Sequence, residues 1–240
     1  MTKRGLSGGT LKWIAVISML VDHAAVVFYV ASREAGQALL SRDLYFVLRS
    51  VGRLAFPLYA FLLAEGFFHT RSVKKYLFRL LLFGAVSEIP FDLAFRGVWL
   101  EGSYQNVYFT LTLGLLAVWF WMRATDGDAR SCGVGRILLG LMGIAATALL
   151  AWLGKTDYGA WGVLTIAAMA ILRRHEWQRN LAAGAFLLGS NVIEAVGFVD
   201  FILLHYYNGE RGRQPKYFFY LFYPVHLLVL VLLSRTVYGG

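Results

Sequence analysis

Long apolar runs separated by short polar and basic stretches dominate the chain. A helix needs about 20 apolar residues to cross the hydrocarbon of a bilayer. That criterion predicts spans at 11–31, 44–68, 76–96, 107–122, 136–153, 158–172, 181–194, 196–207 and 217–236. Residues 181–207 are too few for two full crossings and too many for one, which predicts two short or broken helices or one re-entrant piece. Gly184, Gly189 and Gly197 permit such breaks. The predicted fold class is all-α: a polytopic integral membrane helical bundle of about nine transmembrane helices (eight to ten), some short or broken. With no long polar linker between spans, residues 1–240 read as a single domain.

Composition supports this reading. Hydrophobic residues make up 58% of the 240 positions and charged residues 15%, against about 45–50% and 25% in soluble domains. Phe, Tyr and Trp together supply too much apolar surface for a disordered chain. Cys132 is the only cysteine, so a disulfide scaffold is excluded.

The net charge of +9 changes the picture only through its placement. Lys and Arg collect in alternate loops: Lys3, Arg4 and Lys12; Arg71, Lys74, Lys75 and Arg79; Arg123, Arg130 and Arg136; Arg173, Arg174 and Arg179; Arg211, Arg213 and Lys216. Topology accounts for them better than a nucleic-acid partner, and none is expected. With nine crossings all five groups fall on one side, which predicts a cytoplasmic N-terminus and an external C-terminus. Eight crossings would place Arg211, Arg213 and Lys216 outside. The first run holds Asp22 and His23 at its centre, which suits a retained helix rather than a cleaved signal peptide.

Ionisable groups inside the spans carry the candidate chemistry. Each costs at least about 2.5–3.5 kcal/mol at mid-helix, so it needs a partner or a role. Asp22 and His23 project about 100° apart and can line one broad face, where a buried histidine beside carboxylates can act as a general base. The alternative is a structural His–Asp unit locking two helices. Arg49 and Arg53 share a face of the second span, and Glu88 and Asp92 have the same spacing in the third. The economical expectation pairs these arginines with these carboxylates. Glu65, near His69, is expected to pair with Arg79. Asn106 and Thr110 open the fourth span, and Asp157 and Tyr158 the sixth, with Asp157 readable as a helix N-cap. Pro224 breaks the last span near His226, and Tyr223 lies deep enough to donate into a cavity. His23 and His226, from opposite ends of the chain, form a catalytic pair worth testing. Glu194 and Asp200 receive no role. There is no Walker A, HExxH or GxSxG sequence, and no metal site is expected.

The stretch Leu11-Lys12-Trp-Ile-Ala-Val-Ile-Ser-Met19-Leu-Val-Asp22-His23 resembles the opening of the TraX family. Further similarities follow in order: Leu48-Arg49-Ser-Val-Gly52-Arg53-Leu-Ala-Phe56-Pro57, Glu65-Gly66 with His69-Thr70, Tyr76-Leu-Phe-Arg79-Leu80, Ser87-Glu88-Ile-Pro90-Phe91-Asp92, Asn106-Val-Tyr-Phe-Thr110, Asp157-Tyr-Gly159 and Tyr223-Pro224-Val-His226-Leu227. The resemblance covers nearly the whole chain and rests on the order and spacing of these motifs together. It implies acetylation of a pilin N-terminus, the activity for which that family is known. It also implies kinship with multi-helix acyltransferases that use cytosolic acetyl-CoA, whose first span carries a basic residue, a hydrophobic run and a histidine. Lys12 and His23 stand in that arrangement.

The resemblance implies an acetyltransferase of the bacterial inner membrane. His23, oriented by Asp22, would be the base, or the residue at the acyl-transfer centre. His226, Tyr223, Asn106 and Arg53 are the oxyanion-donor candidates. Arg49, Glu88, Asp92, Thr110, Asp157 and Tyr158 would meet the acceptor: a protein N-terminus, a glycan or a small molecule. Lys12, Lys74, Lys75, Arg79, Arg213 and Lys216 would meet the phosphates of acetyl-CoA; otherwise they contact anionic lipid headgroups. A homo-oligomer is left open. The rival reading is a transporter or flippase for a small polar or lipid-linked solute, using the same intramembrane charges. A third is a noncatalytic partner in assembling an envelope complex.

Overall fold

The computed structural model describes residues 5–37, 40–127, 131–215 and 217–238. These residues form α1 (Gly8–Glu34), α2 (Arg42–Gly52), α3 (Ala55–His69), α4 (Val73–Arg96), α5 (Val107–Thr125), α6 (Val134–Leu153), α7 (Gly159–Ile171), α8 (Glu176–Ser190), a 3-10 helix (Val192–Phe198), α9 (Val199–His205) and α10 (Phe218–Tyr238). No strand occurs among the described residues, only two isolated bridges, Leu6 with Tyr207 and Gln105 with Thr156. Five segments are long and apolar enough to cross a membrane: Gly8–Glu34, Arg42–His69, Val107–Thr125, Val134–Leu153 and Phe218–Tyr238. α7 is a shorter apolar helix. α4 has 24 residues, about 36 Å at the helical rise, but carries several charges. The protein is an all-α, multi-pass membrane protein.

One predicted span is corrected and another is interrupted. The run 44–68 lies within one long apolar segment, Arg42–His69, whose helix is broken between Gly52 and Ala55. Pro57 has no N–H for the carbonyl of Arg53, so it sits in the first turn of α3, where no intrahelical donor is required. Arg53 N–H and Leu54 N–H turn back to the carbonyls of Ser50 and Val51, at 3.1 and 3.3 Å, which closes α2. The run 196–207 is no crossing helix. It holds the end of the 3-10 helix and the seven-residue α9, about 10 Å long. α8 stops because Asn191 is extended, and the Asn191 side chain accepts the N–H of Ile193 at 3.1 Å.

The chain divides into two compact units, one of Met1–Tyr59, Val86–Glu101 and Val196–Gly240, the other of Ala60–Ala85 and Gly102–Ala195.

In the first unit α1 packs against α2 and α10. Trp13 meets Phe218 and Phe219, His23 meets His226, and Phe28 meets Tyr238. Partner numbers rise together, so α1 and α10 run parallel. The start of α1 is tied to the segment before α10: Gly8 and Gly9 donate N–H to the carbonyls of Glu210 and Arg211 at 2.8 and 2.9 Å. Gly212, at φ +65°, lies against Ser7, where a side chain has no room.

In the second unit α5 packs against α6 and α7, and α7 against α6 and α8. Ala117, Trp121, Ile144, Ala148, Ala151, Val163 and Ala167 form a core cluster. Gly114 receives the side chain of Ile166 and Gly140 receives Trp121. Such small residues let helix backbones approach where lipid offers no hydrophobic drive.

Candidate active site

Asp22 and His23 sit on consecutive positions of α1 and point to different neighbours, as a 100° step requires. Asp22 faces α2. Its Oδ2 lies 2.5 Å from Arg49 Nη1, and Arg53 Nη2 donates to Oδ1 and Oδ2 at 3.0 and 3.1 Å. Arg49 and Arg53, four residues apart, reach the carboxylate from one face of α2. Gly52 fills the gap between them; a methyl group there would overlap the Asp22 carboxylate. Ser18 Oγ donates to the carbonyl of Val51 at 2.5 Å and closes the same helix pair. Asp22 pairs with both arginines, and its carboxylate is engaged by guanidinium groups rather than turned to orient His23. Glu88 is buried on α4. Asp92 is fully buried and accepts the N–H of Glu101 at 2.7 Å, fixing the turn that follows α4.

His23 faces α10. Its Nδ1 lies 2.7 Å from Nε2 of His226, with the rings 9° from parallel and their centroids 5.0 Å apart. Phe95 and Tyr223 stand edge-on to His23 at 5.2 and 5.8 Å, and Phe222 stacks on His226 at 4.6 Å. His226 Nδ1 lies 2.7 Å from the carbonyl of Phe222. A carbonyl only accepts, so His226 Nδ1 carries hydrogen. In the neutral ring Nε2 is then an acceptor, and His23 Nδ1 donates to it. The remaining lone pair belongs to Nε2 of His23. His226 and Tyr223 are buried, whereas His23 keeps partial exposure. The chain of bonds runs from a backbone carbonyl through one imidazole to a second, whose outer nitrogen keeps its lone pair.

The second unit holds the other polar positions. Asn106 is the N-cap of α5: its Oδ1 accepts the N–H of Tyr108 at 2.9 Å and its Nδ2 donates to the carbonyl of Gly84 at 2.8 Å. Thr110 Oγ1 contacts Thr156 Oγ1 at 2.8 Å and the carbonyl of Asp157. Both residues are fully buried. Asp157 Oδ1 accepts from the Tyr104 hydroxyl at 2.9 Å and from Tyr158 N–H at 3.1 Å. Tyr158, at φ +61°, is the N-cap of α7 in place of Asp157. Asn106, Thr110 and Asp157 thus brace the turns before α5 and α7. That is a structural use for residues expected to meet the acceptor or an oxyanion.

Residues 7–234 match the profile of the TraX family, described as TraX protein. The chain belongs to the TraX family. It is 31% identical, over 252 aligned positions covering 92% of each sequence, to the "Probable fimbrial assembly protein FimC, serogroup H1" of Dichelobacter nodosus. No solved structure is significantly similar to it.

The basic positions of this TraX chain divide. Lys12 Nζ donates to Gln214 Oε1 at 2.8 Å and stands 5.3 Å over the ring of Phe219, so it is tied into the segment before α10. Arg213 is exposed on that segment, as are Lys74 and Lys75 at the start of α4. Lys216 lies outside the described residues. Arg79 stands 5.6 Å over the ring of Tyr76 rather than pairing with Glu65. Arg173, from the end of α7, takes Glu65 at 3.3 Å, because the α7–α8 turn delivers that cation to α3. Among the described residues no group of three or more His, Cys, Asp or Glu could hold a metal ion.

Sequence reasoning passed over Gly52, Phe95 and Phe222. Gly52 was visible only as the small residue between two arginines. Phe222 lies one turn before His226, and its value is its carbonyl, which no side-chain pattern reveals. Asp200, left without a role, is fully buried in the first unit, and among the described residues neither carboxylate oxygen has a hydrogen-bond partner.

Proposed function

We propose that this TraX-family protein is a membrane-embedded acetyltransferase. It moves an acetyl group from acetyl-CoA to an amine or hydroxyl acceptor, with His23 as general base. The observation that carries the reading is the bonded pair His23–His226, anchored on the Phe222 carbonyl, which leaves His23 Nε2 as a base at the middle of a membrane helix. Family membership and the fimbrial-assembly relative favour a pilin N-terminal amine as acceptor over an envelope glycan or small molecule. The site would lie in the bacterial inner membrane, with the N-terminus and the donor on the cytoplasmic side.

The chemistry balances without a covalent enzyme intermediate. The acceptor nitrogen or oxygen attacks the thioester carbonyl while His23 Nε2 takes its proton. The tetrahedral oxyanion collapses, the carbon–sulfur bond breaks, and the proton passes to the departing thiolate. The products are CoA and the acetylated acceptor. Tyr223 and Arg53 are the proposed oxyanion donors. Two earlier candidates are set aside. His226 commits one nitrogen to Phe222 and the other to His23, and the Asn106 amide is given to Gly84. Asp22 balances part of the charge of Arg49 and Arg53 beside the reacting centre.

Purified protein incubated with labelled acetyl-CoA and a pilin N-terminal peptide should transfer label to the free α-amine and not to an N-blocked peptide. Absence of transfer, thioester hydrolysis and saturable acetyl-CoA binding together would contradict the proposal and favour a transporter or assembly role.

A further inference from the structure

The second unit holds three arginines around the last turns of α3. Arg173 lies 3.3 Å from the Glu65 carboxylate and 4.1 Å from the Phe68 ring centre. Arg179, in the first turn of α8, stands 5.1 Å over the Phe61 ring and within electrostatic reach of Glu65 and Glu176. Arg79 covers the ring of Tyr76, which packs on Gly66 beside Glu65. Arg173 and Arg179 are therefore both tied to one short segment, residues 61–68, and Arg79 is linked to it through the Tyr76 ring.

Their hydrogen bonding is incomplete. Arg179 is 6% exposed, and its Nε donates to Asn180 Oδ1 at 3.0 Å. Among the described residues its buried Nη2 has no acceptor, and neither has the buried Nε of Arg79. Arginine keeps its charge and its five donors in any protein environment, so a buried unpaired N–H on it is a standing cost. α8 begins at this point with no side-chain cap on its positive end. Glu65 is already engaged by Arg173, and Glu176 is exposed. Positive charge exceeds negative charge, and buried donors lack acceptors.

We propose that Arg179, with Arg173 and Arg79, forms a binding site for a phosphate group at the C-terminal end of α3. A phosphate presents several charged oxygens at once and matches the planar fork of arginine. A carboxylate would offer two. Two carriers share this chemistry, the phosphates of CoA and an anionic phospholipid headgroup. The first rests on the acetyltransferase reading, and the site itself does not.

The test uses full-length protein in uncharged detergent, titrated with CoA. A parallel sample sits in phosphatidylcholine nanodiscs with or without phosphatidylglycerol. Binding is read by calorimetry and by thermal unfolding. At least one probe should bind, and Arg179→Gln should weaken it tenfold or more, with Arg179→Lys between the two. The exposed neighbour variant Arg174→Gln should bind as wild type does. A response to CoA assigns the donor, and one to phosphatidylglycerol assigns a lipid headgroup. Should Arg179→Gln not fold, Arg173→Gln and Arg79→Gln replace it. The site is overturned if neither probe binds, or if binding is unchanged in the folded arginine variants. His23→Gln should retain binding, so loss of transfer with intact binding leaves this site standing while the base assignment is judged separately.

Discussion

Nδ1 of His23 and Nε2 of His226 lie 2.7 Å apart, although 202 residues separate them in the chain. The bond joins α1 to α10 near the middle of two parallel helices, and it sets which nitrogen of each ring carries hydrogen. His226→Phe should keep the stack on Phe222 yet remove the acceptor for His23 Nδ1. The expected result is a fall in kcat of about 100-fold with the KM for acetyl-CoA little changed. An unchanged kcat would show that the histidine pair is packing alone.

Asp22 is the partner of two partly buried arginines. Asp22→Asn should destabilise the protein by about 3–5 kcal/mol, because it leaves charge without a counterpart. Asp22→Asn combined with Arg53→Gln should cost less than the sum of the single changes, by at least about 1 kcal/mol. Denaturation of the four proteins in detergent measures the coupling. Strict additivity would contradict the ion pair as described.

Gly52 offers a test of opposite sign to helix propensity. Glycine to alanine inside a helix ordinarily stabilises by about 0.5–1 kcal/mol. At Gly52 the added methyl meets the Asp22 carboxylate, so Gly52→Ala should instead destabilise by about 1–3 kcal/mol. A rise in the unfolding temperature would mean that Asp22 does not pack there.

The hydrophobic runs announced the long helices because length and apolar content alone decide what can span lipid. The meeting of His23 with His226 was also anticipated, since both are costly at mid-membrane and call for a partner. That Asp22 pairs with Arg49 and Arg53 was not legible. It depends on how α1 is rotated against α2, and no spacing within one helix encodes that. The break after Gly52 follows from Pro57, but its position depends on where the first turn of α3 begins. Asn106, Thr110 and Asp157 read as polar groups facing an acceptor. Their bonds to backbone carbonyls and N–H groups belong to turns, which side-chain pattern does not show. The same blindness hid Arg179, whose unpaired Nη2 is evident only once its neighbours are in place.

In the proposed reaction His23 Nε2 takes the acceptor proton during acetyl transfer. The most direct measurement is the single-turnover rate of acetyl transfer to a peptide amine, comparing wild type with folded, membrane-inserted His23→Gln. The expected result is a loss of about 10²–10⁴-fold with acetyl-CoA binding retained. Transfer at the wild-type rate in His23→Gln would contradict it.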